Sequence, residues 1–494
     1  MRKLITLLYV ALLLISSVGL EAQNDSLKNE YQKEFDDFLN SSQQAFNTFQ
    51  SKNDSIFYNF LKQSWKEFRL MEKNRPAIPT PEEQPVMKQS KSFDKEIKPA
   101  ERHKTILEDS GRQIRYNNVP GHYNKIDYVP DYYKLNFYGA IVKIPKTAFG
   151  SNVEGQVDQH VIAEYFKNNS SNETMLKIVD VLSTVAVNRN LNGYGFLKLL
   201  QQTAGHYYNH VNDQVLFTWL ALLKAGYNAK VGYNSNNIYL FVDFDIPVFY
   251  YPYFESNGKR YYLFPFNDQL HNQQPVASFP GNYPGAQKPV SLVINHLPAL
   301  PAKVETRVVY YNNDTVVLQY NENLKTFYDA YPDCDLSLYF PPSLSKIAVN
   351  SFDNYLKPLL SGKTEVQKIN LLLDFLQKGF PYAADEKQFG KEKYLFAEET
   401  VAVPYSDCED RAILLSHLIG YFTKLETIGL VFSDHVTLAV KLHETIQGTY
   451  IKYNGSSYYI CDPTFIGSKL GMIMPEYAES NPEIINFARN YNIN

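Results

Sequence analysis

Residues 405–440 read YSDCEDRAILLSHLIGYFTKLETIGLVFSDHVTLAV. Apolar side chains recur there at three- and four-residue steps, which predicts an amphipathic helix that starts near Cys408. These apolar residues are Ala412, Leu415, Leu418, Ile419 and Phe422. Two apolar, β-branched runs follow, TIGLVF and HVTLAVKL, and the triplet Ser-Asp-His introduces the second. The stretch therefore predicts an α+β fold in which a helix lies beside a pair of strands.

The chain repeats this plan. Residues 211–242, VNDQVLFTWLALLKAGYNAKVGYNSNNIYLFV, again give a helix, a turn, a strand and a second strand after Ser-Asn-Asn. The similarity continues downstream, where NGKRYYLFPF from Asn257 matches NGSSYYICDP from Asn454. Upstream, DYYKLNFYGAIVKIP from Asp131 is loosely similar to DCDLSLYFPPSLSKI from Asp333. We interpret the pattern as an internal duplication into two α+β units with antiparallel sheets, about 128–285 and 290–494.

The two units differ in their reactive side chains. The alignment places Cys408 opposite Gln214, His435 opposite Asn237, and Asp462 opposite Pro265. One unit thus has a thiol, an imidazole and a carboxylate where the other has none of them. This difference indicates a catalytic unit, about 290–494 with its β-strand lead-in, after a degenerate unit at about 128–285.

Cys408, His435 and Asp462 are suited to nucleophilic catalysis. A thiol attacks carbonyl carbon as the thiolate, which the N-terminus of a helix stabilises. We expect Asp407 or Ser406 to cap the helix and Cys408 to point out of the core from its first turn. If the strands that follow are antiparallel neighbours, Asp462 lies beside His435 and orients the imidazole. The backbone N–H of Cys408 would then stabilise an oxyanion.

These motifs resemble those of the transglutaminase-like superfamily, whose core is a circularly rearranged papain-like fold. The similar features are DCxDxAxLL around Cys408, a histidine that opens a strand, and Asp-Pro-Thr at the end of the next strand. The similarity covers about Thr364 to Gly471. It implies Cys408 as nucleophile, His435 as general base and Asp462 as the residue that orients the base.

The resemblance implies a thiol enzyme that acts on peptide or Gln amide bonds through a Cys408 thioester. Hydrolysis by a peptidase or amidase is expected over cross-linking, because no feature builds a site for an acceptor amine. The substrate stays open, since Thr437 and the pair Tyr458–Tyr459 stand where the family often has an aromatic residue and a tryptophan. The alternative function is a non-catalytic cell-envelope scaffold, or a peptide- or glycan-binding protein, with a relic triad.

Composition limits the partners. The 494-residue chain has a net charge of -4 and is 15% aromatic, which predicts a globular protein of two or three domains without a nucleic-acid partner. We expect a protein or peptide substrate. Histidines are scattered singly, and nothing corresponds to the calcium sites of the animal transglutaminases, so we expect no metal and no cofactor. The aromatic run VFYYPYFESNGKRYYLF from Val248 favours a strand core over a carbohydrate platform.

The N-terminal third has three predicted segments. Residues 1–22 have the charged, apolar and small-residue regions of a secretory signal peptide, which predicts a periplasmic or secreted protein. No later stretch is long and apolar enough for a transmembrane segment. Residues 24–74 predict amphipathic helix that packs on the body of the protein or on a partner helix, which would allow self-association. Residues 75–127 are read as a proline-rich linker, and Arg75 to Ala100 disfavours both helix and sheet.

Three cysteines are too few for a disulfide framework. An odd number in an exported chain leaves at least one free thiol. Strand parity predicts that Cys461 points into the core, and Cys334 is either free or paired with Cys461.

Overall fold

The structure is a computed structural model. It describes residues 24–75, 81–87, 94–100, 103–105, 131–147, 153, 156–267, 269 and 274–487. The predicted signal peptide at 1–22 lies outside these described residues. Within them, no helix combines the length and the apolar character needed to cross a bilayer.

The described residues from Phe57 onward belong to one compact unit, and residues 24–56 belong to another. Residues 24–56 are part of the 40-residue helix α1, Asn24–Gln63, and Phe49 and Ile56 are exposed on it. In the unit that starts at Phe57, the side chain of Phe57 is buried and its ring centroid lies 5.1 Å from that of Phe166. The last two turns of the helix thus pack on the body of the protein.

The remaining helices are mostly capped by polar side chains, as their sequence signals require. Their bounds are α2 Gln159–Asn169, α3 Glu173–Asn188, α4 Gly193–Tyr207, α5 Val211–Lys224, α6 Glu322–Asp329, α7 Lys346–Leu360, α8 Glu365–Gly379, α9 Asp385–Phe389, α10 Ala397–Ala402 and α11 Cys408–Thr423. Two 3-10 turns are added at Leu336–Tyr339 and Pro475–Tyr477. Helix α8 has a full capping box between Thr364 and Gln367.

The strands form two large sheets and two hairpins. Their bounds are β1 Lys66–Phe68, β2 Glu96–Ile97, β3 His103–Thr105, β4 Tyr132–Phe137, β5 Ala140–Pro145, β6 Ala229–Asn234, β7 Asn237–Val242, β8 Tyr253–Ser256, β9 Lys259–Phe264, β10 Val276–Ser278, β11 Val304–Tyr311, β12 Asp314–Asn321, β13 Thr427–Val431, β14 Val436–Lys441, β15 Tyr450–Tyr453, β16 Ser456–Cys461 and β17 Glu483–Asn486. The fold is therefore mixed α+β, as the sequence predicts.

The two large sheets share one strand order. The first runs β1-β10-β6-β7-β9-β8, and the second runs β2-β15-β16-β14-β13-β17-β3. Read in matching directions, β10-β6-β7-β9-β8 corresponds to β17-β13-β14-β16-β15, and every neighbouring pair in both sets is antiparallel. Helix α5 precedes the first set and helix α11 precedes the second. A helix and five strands thus occur twice with the same connections.

The loose upstream similarity between Asp131 and Asp333 does not extend to structure. Residues from Asp131 form the hairpin β4–β5, but those from Asp333 form a 3-10 turn at Leu336–Tyr339. The hairpin that precedes the second set is β11–β12, whose strands pair over eight residues each. The prolines at 341 and 342 explain the difference, because two successive prolines cannot donate to a strand ladder.

Part of the predicted linker is sheet. Strand β2 pairs in parallel with β15, and β3 pairs in parallel with β17, so this segment forms both edges of the seven-stranded sheet. The prediction that Arg75 to Ala100 disfavours sheet is wrong at Glu96–Ile97. Residues 86–98 contain no proline, so their backbone N–H groups can pair with an exposed strand edge.

Helix α11 is enclosed on every side. All of its residues from Cys408 to Gly420 are buried, so the expected amphipathic helix is instead a core helix. It packs against α8 and α10 and against strands β13 and β14. A polar residue in its first turns is therefore placed in the interior. The aromatic run from Val248 is also core, since Phe254, Tyr261 and Tyr262 are buried.

Candidate active site

Three structural elements meet at the start of helix α11. Cys408 is the first residue of the helix, His435 directly precedes strand β14, and Asp462 directly follows strand β16. Strands β14 and β16 are antiparallel neighbours, with Leu438 opposite Cys461. The end of one strand therefore lies beside the beginning of the other, which brings His435 and Asp462 together.

The imidazole of His435 and the carboxylate of Asp462 form a buried pair. Nε2 of His435 lies 2.8 Å from Oδ2 of Asp462. The side chain of His435 is 0% exposed, and that of Asp462 is 3% exposed. The other ring nitrogen, Nδ1, has no hydrogen-bond partner among the described residues. The pair thus holds the ring with one nitrogen engaged by the carboxylate and the other available.

Asp462 is fixed by the turn that follows it. Its Oδ1 accepts hydrogen bonds from the backbone N–H groups of Thr464 at 2.9 Å and Phe465 at 3.2 Å. An Asx turn of this kind follows from an aspartate directly before Pro463, which ends the strand ladder. Both carboxylate oxygens therefore have partners, and the orientation toward His435 is set by local backbone geometry.

Gln377 on helix α8 anchors the same turn, and sequence reasoning missed it. Its Nε2 donates to the backbone oxygens of Asp462 at 3.0 Å and Ser468 at 3.3 Å, and its Oε1 accepts from the N–H of Gly467 at 3.0 Å. The residue is 3% exposed. The only sequence signal was a glutamine on the apolar side of a helix.

Tyr477 covers one face of His435. The two rings are stacked, with centroids 5.5 Å apart and an interplanar angle of 11°. The Tyr477 ring also lies 4.8 Å from that of Phe432. Tyr477 belongs to a short 3-10 turn near the C-terminus, where no motif marked it.

Cys408 lies next to the strand that His435 opens. The backbone N–H of Val436 donates to its Sγ at 3.4 Å, and the thiol donates to Oε2 of Glu409 at 3.0 Å. No hydrogen bond joins the sulfur to Nδ1 of His435 in the described residues. The thiol of Cys408 therefore accepts a hydrogen bond from Val436, the residue that follows His435, and not from the imidazole itself.

The expectation that Cys408 points out of the core is wrong. The residue is 0% exposed because strand β14 packs over the N-terminus of helix α11. Burial, and then the charges of Glu409 and Asp407, raise the pKa of the Cys408 thiol well above its ordinary value. The thiol is thus neutral in this arrangement. Asp407 occupies the N-cap position, but its side chain makes no capping hydrogen bond.

Carboxyl groups gather around the start of helix α11: Asp385, Glu392, Asp407, Glu409 and Asp410. Burial, and then the charge of Glu409, raise the pKa of Asp385 to about 8 and that of Glu392 to about 7. Burial also raises the pKa values of Asp407 and Asp410. No pattern in the sequence indicates this cluster, because its members come from separate segments of the chain.

The helix and five strands from Val211 to Ser278 contain a similar contact made by an amide side chain. The backbone N–H of Ile238 donates to Oδ1 of Asn212 at 2.9 Å, as that of Val436 does to the sulfur of Cys408. Leu240 pairs with Phe264 in one sheet, and Leu438 pairs with Cys461 in the other. Counted from these pairs, Asn237 and Pro265 stand at the strand ends where the other sheet has His435 and Asp462. The sequence alignment places Gln214 opposite Cys408, whereas Asn212 is the residue that contacts the N–H of Ile238 as Cys408 contacts that of Val436.

Residues 81–87 cover the surface beside the Asp462 turn. The N–H of Met87 donates to the oxygen of Ile466 at 3.0 Å, and that of Ile466 donates to the oxygen of Pro85 at 2.9 Å. The hydroxyl of Tyr382 donates to the oxygen of Pro81. A cavity of about 320 Å³ lies at the other end of helix α11, lined by residues that include Tyr421 and Lys424.

All three cysteines are free and buried. Cys461 lies in the core, as strand parity predicts, and Cys334 donates to the hydroxyl of Tyr339 at 3.8 Å. Cys408 is the cysteine with an imidazole–carboxylate pair beside it.

Comparisons with family models, curated proteins and solved structures found no match for this chain.

Proposed function

We propose that this chain is a transglutaminase-like thiol enzyme that transfers or hydrolyses acyl groups through a thioester at Cys408. The observation that carries the proposal is the buried His435–Asp462 pair, at 2.8 Å, whose second ring nitrogen has no partner in the described part of the chain. The residue after this histidine donates its N–H to the sulfur of Cys408. A thiol, a base and a residue that orients the base are thus adjacent.

The chemistry follows from these positions. Nδ1 of His435 accepts the thiol proton, and Sγ of Cys408 attacks the carbonyl carbon of a peptide or Gln side-chain amide. The carbon–nitrogen bond breaks as the proton passes to the leaving amine. Water, activated by the same nitrogen, then cleaves the thioester to a carboxylic acid. Asp462 keeps Nε2 protonated and stabilises the imidazolium that forms.

Helix α11 supplies the oxyanion site in this proposal. The first N–H groups of a helix have no intrahelical partners, and the Asp407 side chain does not cap them. An oxyanion formed on the carbon bonded to Cys408 would lie near these groups. The proposal therefore assigns the backbone of residues 408–409 to transition-state stabilisation.

Two repeated units, of which the second is catalytic, also form part of the proposal. It is supported by the repeated order of a helix and five strands, and by the parallel contacts of Asn212 and Cys408. An amide cannot act as the thiolate does, and Asn237 and Pro265 offer no base and no carboxylate. In this interpretation the first unit is a pseudoenzyme domain with a binding or structural role.

The enclosed thiol describes a resting state in this proposal. Cys408 is buried and bonded to Glu409, so substrate must displace that carboxylate and open a path to the sulfur. Residues 81–87 lie beside the Asp462 turn. In this proposal, movement of residues 81–87 uncovers that turn. We propose a protein or peptide substrate of the cell envelope, in keeping with the predicted export signal.

The same enclosure favours a second candidate function. A triad that is entirely buried, with a neutral thiol, fits a non-catalytic envelope scaffold or a peptide- or glycan-binding protein that retains a relic site. The two candidates differ in whether the thiol ever reacts through the histidine.

An activity-based experiment separates them. The full chain is treated with peptides that carry a thiol-reactive electrophile at a Gln side chain or at a carbonyl terminus, and adducts are located by mass spectrometry. The enzyme proposal expects an adduct at Cys408 that Cys408→Ser abolishes and His435→Ala slows at least about 100-fold. Labelling that is equal in wild type and His435→Ala would support the relic instead. Cys334 and Cys461 serve as internal controls, since both are buried.

A further inference from the structure

The carboxyl groups at the start of helix α11 converge from two segments of the chain. Oxygens of Asp385, Asp407 and Asp410 lie within 4.8 Å of one another, and so do oxygens of Asp385, Glu392 and Glu409. Asp385 begins helix α9, and Asp407 and Asp410 flank the first turn of α11. Asp385 is common to both sets.

Several of these oxygens are buried without a partner. Both carboxylate oxygens of Asp407 lack a hydrogen bond to any described residue, as do Oε1 of Glu409, Oδ2 of Asp410 and Oε1 of Glu392. Asp407 is 0% exposed, so water does not compensate for them at the surface. A buried carboxylate without partners is strongly destabilising, so such a group requires an ion or a proton.

Nearby cations do not balance the cluster. Arg411 is directed to other partners, since its Nε donates to Ser406 at 3.2 Å and its Nη2 donates to the oxygen of Phe380. Arg75 lies over the ring of Tyr394, and its three guanidinium nitrogens have no hydrogen-bond partner among the described residues. Five carboxyl groups thus face two guanidinium groups, neither of which bonds to a carboxylate of the cluster.

We propose that this cluster is a calcium site, in which one ion is bound by the carboxylates of Asp385, Asp407 and Asp410, with Glu392 and Glu409 close to Asp385. Calcium binds six to eight oxygens with variable geometry, which suits carboxylates contributed by separate segments of the chain. Magnesium requires a stricter octahedron and retains its waters, which a fully buried set disfavours.

The site has a structural consequence. The loop that begins at Asp385 contacts helix α11 through the backbone N–H of Leu395, which donates to Asp410. The N–H of Lys393 donates to Asp385 within the loop. An ion held between the same carboxylates would fasten this loop to the turn that carries Cys408. Calcium binding itself does not require the enzyme proposal to be correct.

Calorimetric titration of the full chain with calcium chloride, after removal of bound metal, tests the proposal. We expect one ion per chain to bind, with a rise in melting temperature that tracks occupancy. Asp385→Asn and Asp407→Asn should weaken binding at least about tenfold, in line with the cost of disturbing a metal shell. Without calcium, Asp407→Asn should melt no lower than wild type, because it removes an unpaired buried charge.

Two controls separate this result from misfolding and from catalysis. Glu398→Gln changes an equally buried carboxylate whose oxygens are engaged by Asn321 and Ser345, so it should lower stability and leave calcium affinity unchanged. Cys408→Ser should bind calcium as wild type does, whether or not the chain is an enzyme. The proposal is overturned if wild type binds no calcium up to about 10 mM, well above extracellular site constants. It is equally overturned if both Asn variants keep wild-type affinity, or if magnesium alone binds.

Discussion

Tyr477 lies parallel to His435, with ring centroids 5.5 Å apart and 11° between the ring planes. This contact joins a turn near the C-terminus to the residue that opens strand β14. It closes one face of the imidazole, and the Asp462 carboxylate holds Nε2. The proposed base is therefore fixed both by a hydrogen bond and by a ring.

Tyr477→Ala should loosen His435 as well as the core around Phe432. Removal of a buried aromatic ring costs about 3–5 kcal/mol of unfolding free energy, measured by urea denaturation. Tyr477→Phe keeps the ring and should stay within about 1.5 kcal/mol of wild type. If Tyr477→Phe slows Cys408 labelling as much as Tyr477→Ala does, the hydroxyl rather than the stacking matters.

Asp462→Asn should reduce labelling of Cys408 or turnover by at least about 100-fold with little change in structure. An amide can keep the bonds from Thr464 and Phe465 through its oxygen but cannot stabilise an imidazolium. The matched control is Asp314→Asn, an aspartate at the start of strand β12 whose partner is the hydroxyl of Tyr355. Equal rates for Asp462→Asn and wild type would contradict the role of Asp462.

Gln377→Ala should lower the unfolding free energy by about 2 kcal/mol or more, because the turn after Asp462 loses its buried partners. Gln367→Ala is the control on the same helix, where only a capping bond at the surface is lost and about 1 kcal/mol or less is expected. Amide hydrogen exchange at Gly467 should increase in the first variant alone.

Asn212→Cys should create no second reactive thiol. Its sulfur would lie near the N–H of Ile238, as Cys408 lies near that of Val436, but Asn237 and Pro265 provide neither a base nor a carboxylate. The measurement is adduct mapping in the Asn212→Cys, Cys408→Ser double variant. A histidine-dependent adduct at residue 212 would refute the correspondence of the two units.

Stability should fall in acid partly through Asp329. Burial would raise the pKa of this carboxyl, but hydrogen bonds from Lys325 and Lys393 outweigh burial and lower it to about 2. Since the folded pKa lies below the unfolded value near 3.9, the contribution is present above about pH 4 and is lost as pH falls toward 2. Because Asp329 is partly exposed to solvent, its contribution to the free energy of unfolding is limited to about 1 kcal/mol. Melting curves of wild type and Lys393→Met between about pH 2 and 6 should converge at the acid end.

Three features are predictable from the amino-acid sequence alone: the α+β class, the helix that Cys408 begins, and the two strands whose ends bring His435 to Asp462. These features depend on local periodicity and on the strand-ending Asp-Pro pair, both of which are set by neighbouring residues. The alternation of apolar residues also placed Cys461 and the tyrosines near residue 261 in the core.

The environment of the thiol, by contrast, depends on how distant elements pack around it. Enclosure of helix α11 by α8, α10 and β14 buries Cys408, so a helix start that sequence alone would expose became a neutral interior site. The contacts of Gln377 and Tyr477, the pairing of β2 and β3 with the sheet edges, and the meeting of Asp385 with Asp407 join residues far apart in the chain. Local patterns do not encode such contacts, because they depend on how separate elements pack.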